Sequence, residues 1–136
     1  MKLFQQKSVI EKYDDVKSFV EAYNIGADDF ILATKRIYET CFAPLNLKAH
    51  VEYKSKYGSG EPTDVMIDAL LEDFRQGDYK RIIAIGGGAV IDMAKILVLD
   101  GEAKAESYYR KEVPFRKVRT LLAVPTTCGA GSEVSN

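Results

Sequence analysis

Two apolar runs, Arg81-Ile82-Ile83-Ala84-Ile85 and Thr120-Leu121-Leu122-Ala123-Val124, carry no polar alternation, the pattern of strands covered on both faces in a parallel sheet. Upstream of them the period changes. From Asp15, apolar residues recur at Val16, Phe19, Val20 and Tyr23, one face of a helix opened by Asp14-Asp15 and closed by Gly26. Phe30-Ile31-Leu32-Ala33 reads as a buried strand, after which Thr34 is placed to cap a helix with the stripe Ile37, Tyr38, Cys41, Phe42 and Leu45. Ala49 to Tyr53 forms a further strand, residues 56–62 a loop, and Thr63 opens a helix with Met66, Ile67, Leu70, Leu71 and Phe74 on one side, ending near Gly77. Leu3 to Ile10 has a weak alternation compatible with a short strand pair. Strand and helix thus alternate, which predicts an α/β fold with a parallel sheet.

The helix expected after Gly86-Gly87-Gly88 is apolar almost all round, with only Asp92 and Lys95 polar among residues 89–99. Such a helix needs cover beyond its sheet side, and a second domain or subunit is the expected source. Ser132-Glu133-Val134-Ser135-Asn136 carries no stop signal and no closing element is evident after the last strand, so the chain reads as a fragment.

Composition narrows the classes. The chain has 136 residues, 46% hydrophobic and 29% charged, which fits one globular domain with a substantial core. Nineteen basic and twenty acidic side chains leave no positive field for a polyanion, so no nucleic acid partner is expected. The basic stretch Arg110 to Arg119 reads as a solvated loop. No run approaches the roughly 20 apolar residues of a membrane span, and the first residues lack a signal-like apolar core. Cys41 and Cys128 have neither metal-ligand spacing nor a disulfide framework, so Cys41 reads as packing and a reducing cytoplasm as the setting.

The candidate chemistry lies in two loops that follow the apolar strands. Gly86, Gly87 and Gly88 permit a sharp turn and a close backbone approach, and the helix behind them offers unpaired N–H groups, a cradle for a diphosphate. The spacing is neither G-x-G-x-x-G nor a P-loop. The second loop, Pro125 to Glu133, supplies hydroxyls at Thr126, Thr127, Ser132 and Ser135 and flexible backbone at Gly129 and Gly131. Asp92 is placed either to orient the glycine turn or cofactor or merely to complement the helix dipole. No base accompanies Cys128, and His50 alone makes no metal site, so no catalytic or metal-ligating residue is assigned.

Together, Gly86-Gly87-Gly88-Ala89-Val90-Ile91-Asp92-Met93-Ala94-Lys95 and Pro125-Thr126-Thr127-Cys128-Gly129-Ala130-Gly131-Ser132-Glu133-Val134 resemble the iron-containing (group III) alcohol dehydrogenase family. Lys56-Tyr57-Gly58-Ser59-Gly60-Glu61-Pro62 and the cysteine of Thr-Thr-Cys-Gly resemble its branch acting on 4-hydroxybutyrate. The resemblance implies a Rossmann-like nucleotide-binding domain of the dehydroquinate synthase-like fold over residues 1–136, with a helical metal-binding domain lying beyond them. It implies NAD, or NADP, as cofactor, a divalent iron or zinc in the full-length enzyme, and interconversion of 4-hydroxybutyrate and succinate semialdehyde. A cytoplasmic homo-oligomer with a small-molecule substrate is expected. Glycerol dehydrogenase-like or dehydroquinate synthase-like chemistry, and a non-catalytic nucleotide-binding module, are the competing readings.

By motif, Gly87, Gly88 and Ala89 would hold the pyrophosphate, and Thr126, Thr127 and Ser135 would contact phosphate, ribose or nicotinamide. Three departures from the family pattern stand out. Ala89 replaces a usual serine, Glu61-Pro62-Thr63 replaces Asn-Pro-Thr, and Thr34 followed by Lys35-Arg36 replaces an aspartate that binds the adenosine ribose. The last bears on NAD against NADP, since an acid suits the free 2′-hydroxyl and a base its phosphate.

Overall fold

A computed structural model describes residues 10–113, 116–125 and 132–135. Six strands form one sheet in the order β1-β6-β5-β4-β2-β3. The strands are β1 (Ile10–Tyr13), β2 (Asp29–Ala33), β3 (His50–Tyr53), β4 (Arg81–Ile85), β5 (Thr120–Val124) and β6 (Ser132–Ser135). β3, β2, β4 and β5 run parallel, as the unbroken apolar runs predict, and every residue from Ile82 to Ile85 is buried. The edge differs from expectation: β6 pairs antiparallel with both β5 and β1, so a closing element does follow β5. The proposed strand pair at Leu3 to Ile10 lies outside the described residues except for Ile10, which starts β1.

Helices cover both faces. On one face, α1 (Val16–Tyr23) and the segment after β2 pack on Ile31, Ala33, Ile83, Ile85, Leu122 and Val124 through Phe19, Tyr38 and Phe42. On the other, α3 (Asp64–Phe74), α4 (Gly88–Lys95) and α5 (Ala105–Tyr109) pack on Phe30, Leu32, Ile82, Ala84 and Leu121. The alternation of each strand therefore divides its side chains between two cores.

α1 is capped by Asp15, whose carboxylate accepts from Ser18 N–H at 2.7 Å. It closes at Asn24 (φ 51°), one of the few residue types that tolerates the left-handed cap, and not at Gly26. The segment after β2 is one α-helical turn, α2 (Lys35–Ile37), followed by a π-helical turn Tyr38–Phe42 and a 3-10 turn Ala43–Leu45 that contains Pro44. Thr34 makes no side-chain cap there, which corrects that expectation. Cys41, partly buried on this face, is disulfide-bonded, so its role is not packing alone.

Thr63 does cap α3, its hydroxyl accepting from Met66 N–H at 3.2 Å. Replacing it by Ala is expected to cost about 1 kcal/mol. A urea midpoint unchanged by Thr63→Ala would contradict that assignment.

The apolar girth of α4 is covered from within this chain. Met93 and Ala94 are buried, as are Ile96 to Leu99 behind them, enclosed by α3, α5 and the sheet, so neither a second domain nor a subunit is needed there. α5, invisible as a periodic pattern, contributes Ala105 and Tyr108 to that cover. The basic stretch is also more than solvated loop. Arg119 donates to the carbonyls of Tyr79, Leu97 and Leu99 and lies 4.9 Å from the Phe74 ring centre. Among the described residues, no helix is long and apolar enough to cross a membrane.

Candidate cofactor-binding site

The register places four strand ends in one row: Ala33 lies opposite Tyr53 on one side and Ile85 on the other, and Ile85 lies opposite Val124. The loops that follow, at Thr34, Lys54, Gly86 and Pro125, therefore leave from a single rim. With neighbouring strands about 4.8 Å apart, the rim from β2 to β5 spans about 10 Å. Between β2 and β4 the chain turns away in opposite directions, β2 leading to one face and β4 to the other, and ligands of open α/β sheets gather at such a switch point.

Backbone hydrogen bonds tie this rim together. Thr34 N–H donates to Ile85 O at 2.8 Å, and Gly86 N–H donates to Val124 O at 3.1 Å. Gly86 is buried, with φ 156°, and a Cβ there would lie 2.6 Å from Thr34 Oγ1 and 2.8 Å from Val90 Cγ2. It is the glycine the fold requires. Gly87 and Gly88 differ: both are exposed, and a Cβ on either would meet nothing within 4 Å. Gly87 is the N-cap of α4 and offers no side chain to its first N–H groups, so those donors face the open space over the turn.

Ala89 is half-buried in the first turn of α4. Asp92 lies one turn further on, 65% exposed, its carboxylate 3.3 Å from Lys95 Nζ, and makes no hydrogen bond to the glycine turn. Its contact is the ordinary ion pair of a helix surface, worth little in water. Thr34 is half-buried against Gly86, a position that its predicted capping role did not foresee. Ser135 lies in β6 with its backbone opposite Ala123, one residue before the end of β5. Thr126, Thr127 and Cys128 lie outside the described residues.

Beside the turn, beyond Thr34, is a cavity of about 300 Å³ lined by Thr34, Lys35, Arg36, Lys54, Ser55, Gly58 and Ser59. Lys54 shapes its far wall, its ammonium donating to Gly58 O at 3.0 Å and Gly60 O at 2.7 Å. The same loop is braced by Tyr57, whose hydroxyl donates to Asp73 at 2.8 Å. Burial, and then that hydrogen bond, push the Tyr57 phenol well above its ordinary range, so it remains a donor. Lys54 was missed in the sequence because it belongs to no motif. Its one signal is its place directly after a strand of the sheet. Among the described residues, no group of three or more His, Cys, Asp or Glu could hold a metal ion.

The model of the family described as "Iron-containing alcohol dehydrogenase" matches residues 2–136. The chain belongs to the iron-containing alcohol dehydrogenase family. It is 40% identical over its whole length to 4-hydroxybutyrate dehydrogenase of Clostridium kluyveri, covering 37% of that protein. It is 38% identical over 84 residues, 55% of the chain, to an alcohol dehydrogenase of Thermococcus barophilus, covering 22% of it. The chain thus spans about a third or less of the length of these relatives. Among solved structures, sulfoacetaldehyde reductase from Bifidobacterium kashiwanohense, determined in complex with NAD+, superposes with a TM-score of 0.61 at 21% identity, over 84% of this chain and 32% of that one. That likeness shows the fold, an α/β domain built on a parallel sheet.

Proposed function

We propose that these residues form the dinucleotide-binding portion of an NAD(P)-dependent alcohol dehydrogenase that interconverts 4-hydroxybutyrate and succinate semialdehyde. The observation that carries this reading is the contrast within the glycine turn. Gly86 is demanded by its neighbours, whereas the space over Gly87 and Gly88 is empty and is faced by uncapped helix N–H groups. No neighbouring atom demands a glycine at either position. A diphosphate approaching the backbone does.

In this reading the N–H groups at the start of α4 hold the diphosphate, and Thr34 borders the adenosine side. Thr126, Thr127 and Ser135 contribute further contacts to the dinucleotide, and Asp92 stands at the edge of the site. The dinucleotide supplies the hydride acceptor, and the residues of this chain bind and orient it. The substrate assignment is supported by the 40% identity to the Clostridium kluyveri enzyme along the whole chain. No catalytic residue or metal ligand is assigned to this chain. A soluble homo-oligomer is part of the same proposal; the disulfide at Cys41 removes the ground on which a reducing cytoplasm was expected.

Calorimetric titration with NAD and NADP tests it. At least one should bind, and Gly87→Val should raise its Kd at least about tenfold, because a side chain would occupy the diphosphate's place. The Gly87 backbone (φ −82°, ψ −168°) suits valine, so the loss of stability should stay within about 1 kcal/mol, the size of a helix-capping effect. Binding of neither dinucleotide, or undiminished binding by Gly87→Val, would overturn the reading. A substrate panel on the protein that carries these residues should rank 4-hydroxybutyrate above glycerol. The reverse order would sink the substrate assignment alone.

A further inference from the structure

Cys41 is disulfide-bonded, and no described cysteine is free. The sequence holds one other cysteine, Cys128, so the bond joins the segment after β2 to the loop after β5. β4, which leads into the glycine turn, lies between those two strands in the sheet, so the bond links the segments that follow the strands on either side of the turn. On the β2 side the connection to the turn can be followed contact by contact. Cys41 belongs to the π-helical turn Tyr38–Phe42, which Tyr38 and Phe42 seat on the core, both buried and stacked with ring centres 5.7 Å apart. Tyr38 N–H donates to Thr34 O at 3.0 Å, Thr34 N–H donates to Ile85 O at 2.8 Å, and Thr34 Oγ1 sits where a Cβ on Gly86 would be 2.6 Å from it. On the β5 side only Pro125, Thr126 and Thr127 separate Val124, buried at the end of the strand, from Cys128. With Val124 paired in the sheet and Cys128 bonded to Cys41, that short stretch is anchored at both ends, which leaves it fewer conformations.

We propose that this bond is a thiol–disulfide switch on dinucleotide binding, the oxidised protein binding NAD or NADP more tightly than the dithiol form. The inference rests on the dinucleotide reading above, in which Thr126 and Thr127 contact the ligand. The crosslink lowers the entropy those residues lose on binding, and reduction restores that cost, so affinity falls. The chemistry is exchange with a small dithiol. One of its sulfurs attacks as the thiolate, breaks the protein's S–S bond and forms a mixed disulfide, after which its second sulfur closes the reagent's own disulfide. Two electrons pass from reagent to protein, the reagent's two thiol protons end on Cys41 and Cys128, and the reverse exchange with the oxidised reagent restores the bond. Because coupling between sites is reciprocal, a bound dinucleotide must protect the disulfide by the same factor as the disulfide improves binding.

NAD and NADP are titrated separately against the protein, well below its melting midpoint, before and after treatment with dithiothreitol. The Kd of whichever dinucleotide binds should rise about three- to tenfold on reduction and return on treatment with oxidised dithiothreitol. Cys41→Ser should bind as the reduced protein does in either buffer. The readout that separates a switch from a structural staple is the equilibrium with dithiothreitol, which saturating dinucleotide should shift toward the protein disulfide by the same factor. Iodoacetamide should label no cysteine of the untreated protein and both cysteines of the reduced one. Labelling of the untreated protein, a bond between two copies on a non-reducing gel, unchanged or tighter dinucleotide binding after reduction, or an equilibrium indifferent to the dinucleotide overturns the inference and leaves the dinucleotide reading standing. Unfolding of the reduced protein or of Cys41→Ser does the same, since the bond would then be a staple of the fold. Binding of neither dinucleotide in either state removes both.

Discussion

Replacing Asp29 by alanine is expected to cost about 3 kcal/mol of stability, the lower end of the range for breaking a buried ion pair by removing one partner. Asp29 is 2% exposed at the start of β2, directly opposite Arg81 at the start of β4. Its two carboxylate oxygens accept from Arg81 Nε at 2.6 Å and Nη2 at 2.9 Å, and Oδ2 also accepts from Gly26 N–H at 2.7 Å. Alanine would leave a guanidinium and an N–H without these acceptors. The Arg81 side chain is 23% exposed and keeps its bond to Tyr23 O, so water and that carbonyl relieve part of the loss, which places the figure at the low end. Asp29→Asn, which retains one acceptor oxygen, should cost about half as much. The pair lies at the amino ends of the strands, away from the rim, so dinucleotide affinity of the folded Asp29→Ala variant should be unchanged. Thermal unfolding should show a fall on the order of 10 °C. A shift of a degree or two would show that the pair contributes nothing net.

Gly86→Ala should be nearly as damaging, about 2–3 kcal/mol, for a different reason. The new methyl would overlap Thr34 Oγ1 and Val90 Cγ2, and Val90 is a stiff, buried side chain with nowhere to go. The backbone there also lies where L-residues are rare. Relief requires Thr34 to move, which disturbs the mouth of the cationic cavity, so dinucleotide affinity should fall along with stability. Gly88→Ala is the control: it fills open space at the first position of α4 and should be neutral or slightly stabilising. If the two variants melt together, the steric account of Gly86 is wrong.

The parallel centre of the sheet was legible because β4 and β5 are buried on both faces, which leaves no polar residue in the run from Ile82 to Ile85. The cap at Thr63 was legible because a local hydrogen bond carries it. What escaped the sequence depends on distant partners. The antiparallel pairing of β1 with β6 joins segments far apart in the chain, and nothing local marks it. The cover on α4 comes from α5, too short to show a period, and Arg119, read as solvated, is held by three carbonyls. Asn24 ended α1 where Gly26 was expected because asparagine also accepts the left-handed conformation.

At the candidate site, three adjacent glycines could be read as a turn, but not as one residue serving the fold and two facing open space. That division needs the positions of Thr34 and Val90. Lys35 and Arg36 were noticed only as a departure from an acidic position. Their junction with Lys54 comes from the β2–β3 register, which sets Ala33 beside Tyr53.

That outer pairing also shapes how the molecule is made. β5 acquires its second neighbour only when residues 132–135 have emerged, and β6 is itself bordered by β1, far earlier in the chain. Until then a strand apolar from Leu121 to Val124 shows an unpaired flank of amide and carbonyl groups, the kind of surface on which nascent chains stick to one another. Closure between such remote segments is entropically slow, so the edge beside the candidate site is the last part of the sheet to be sealed.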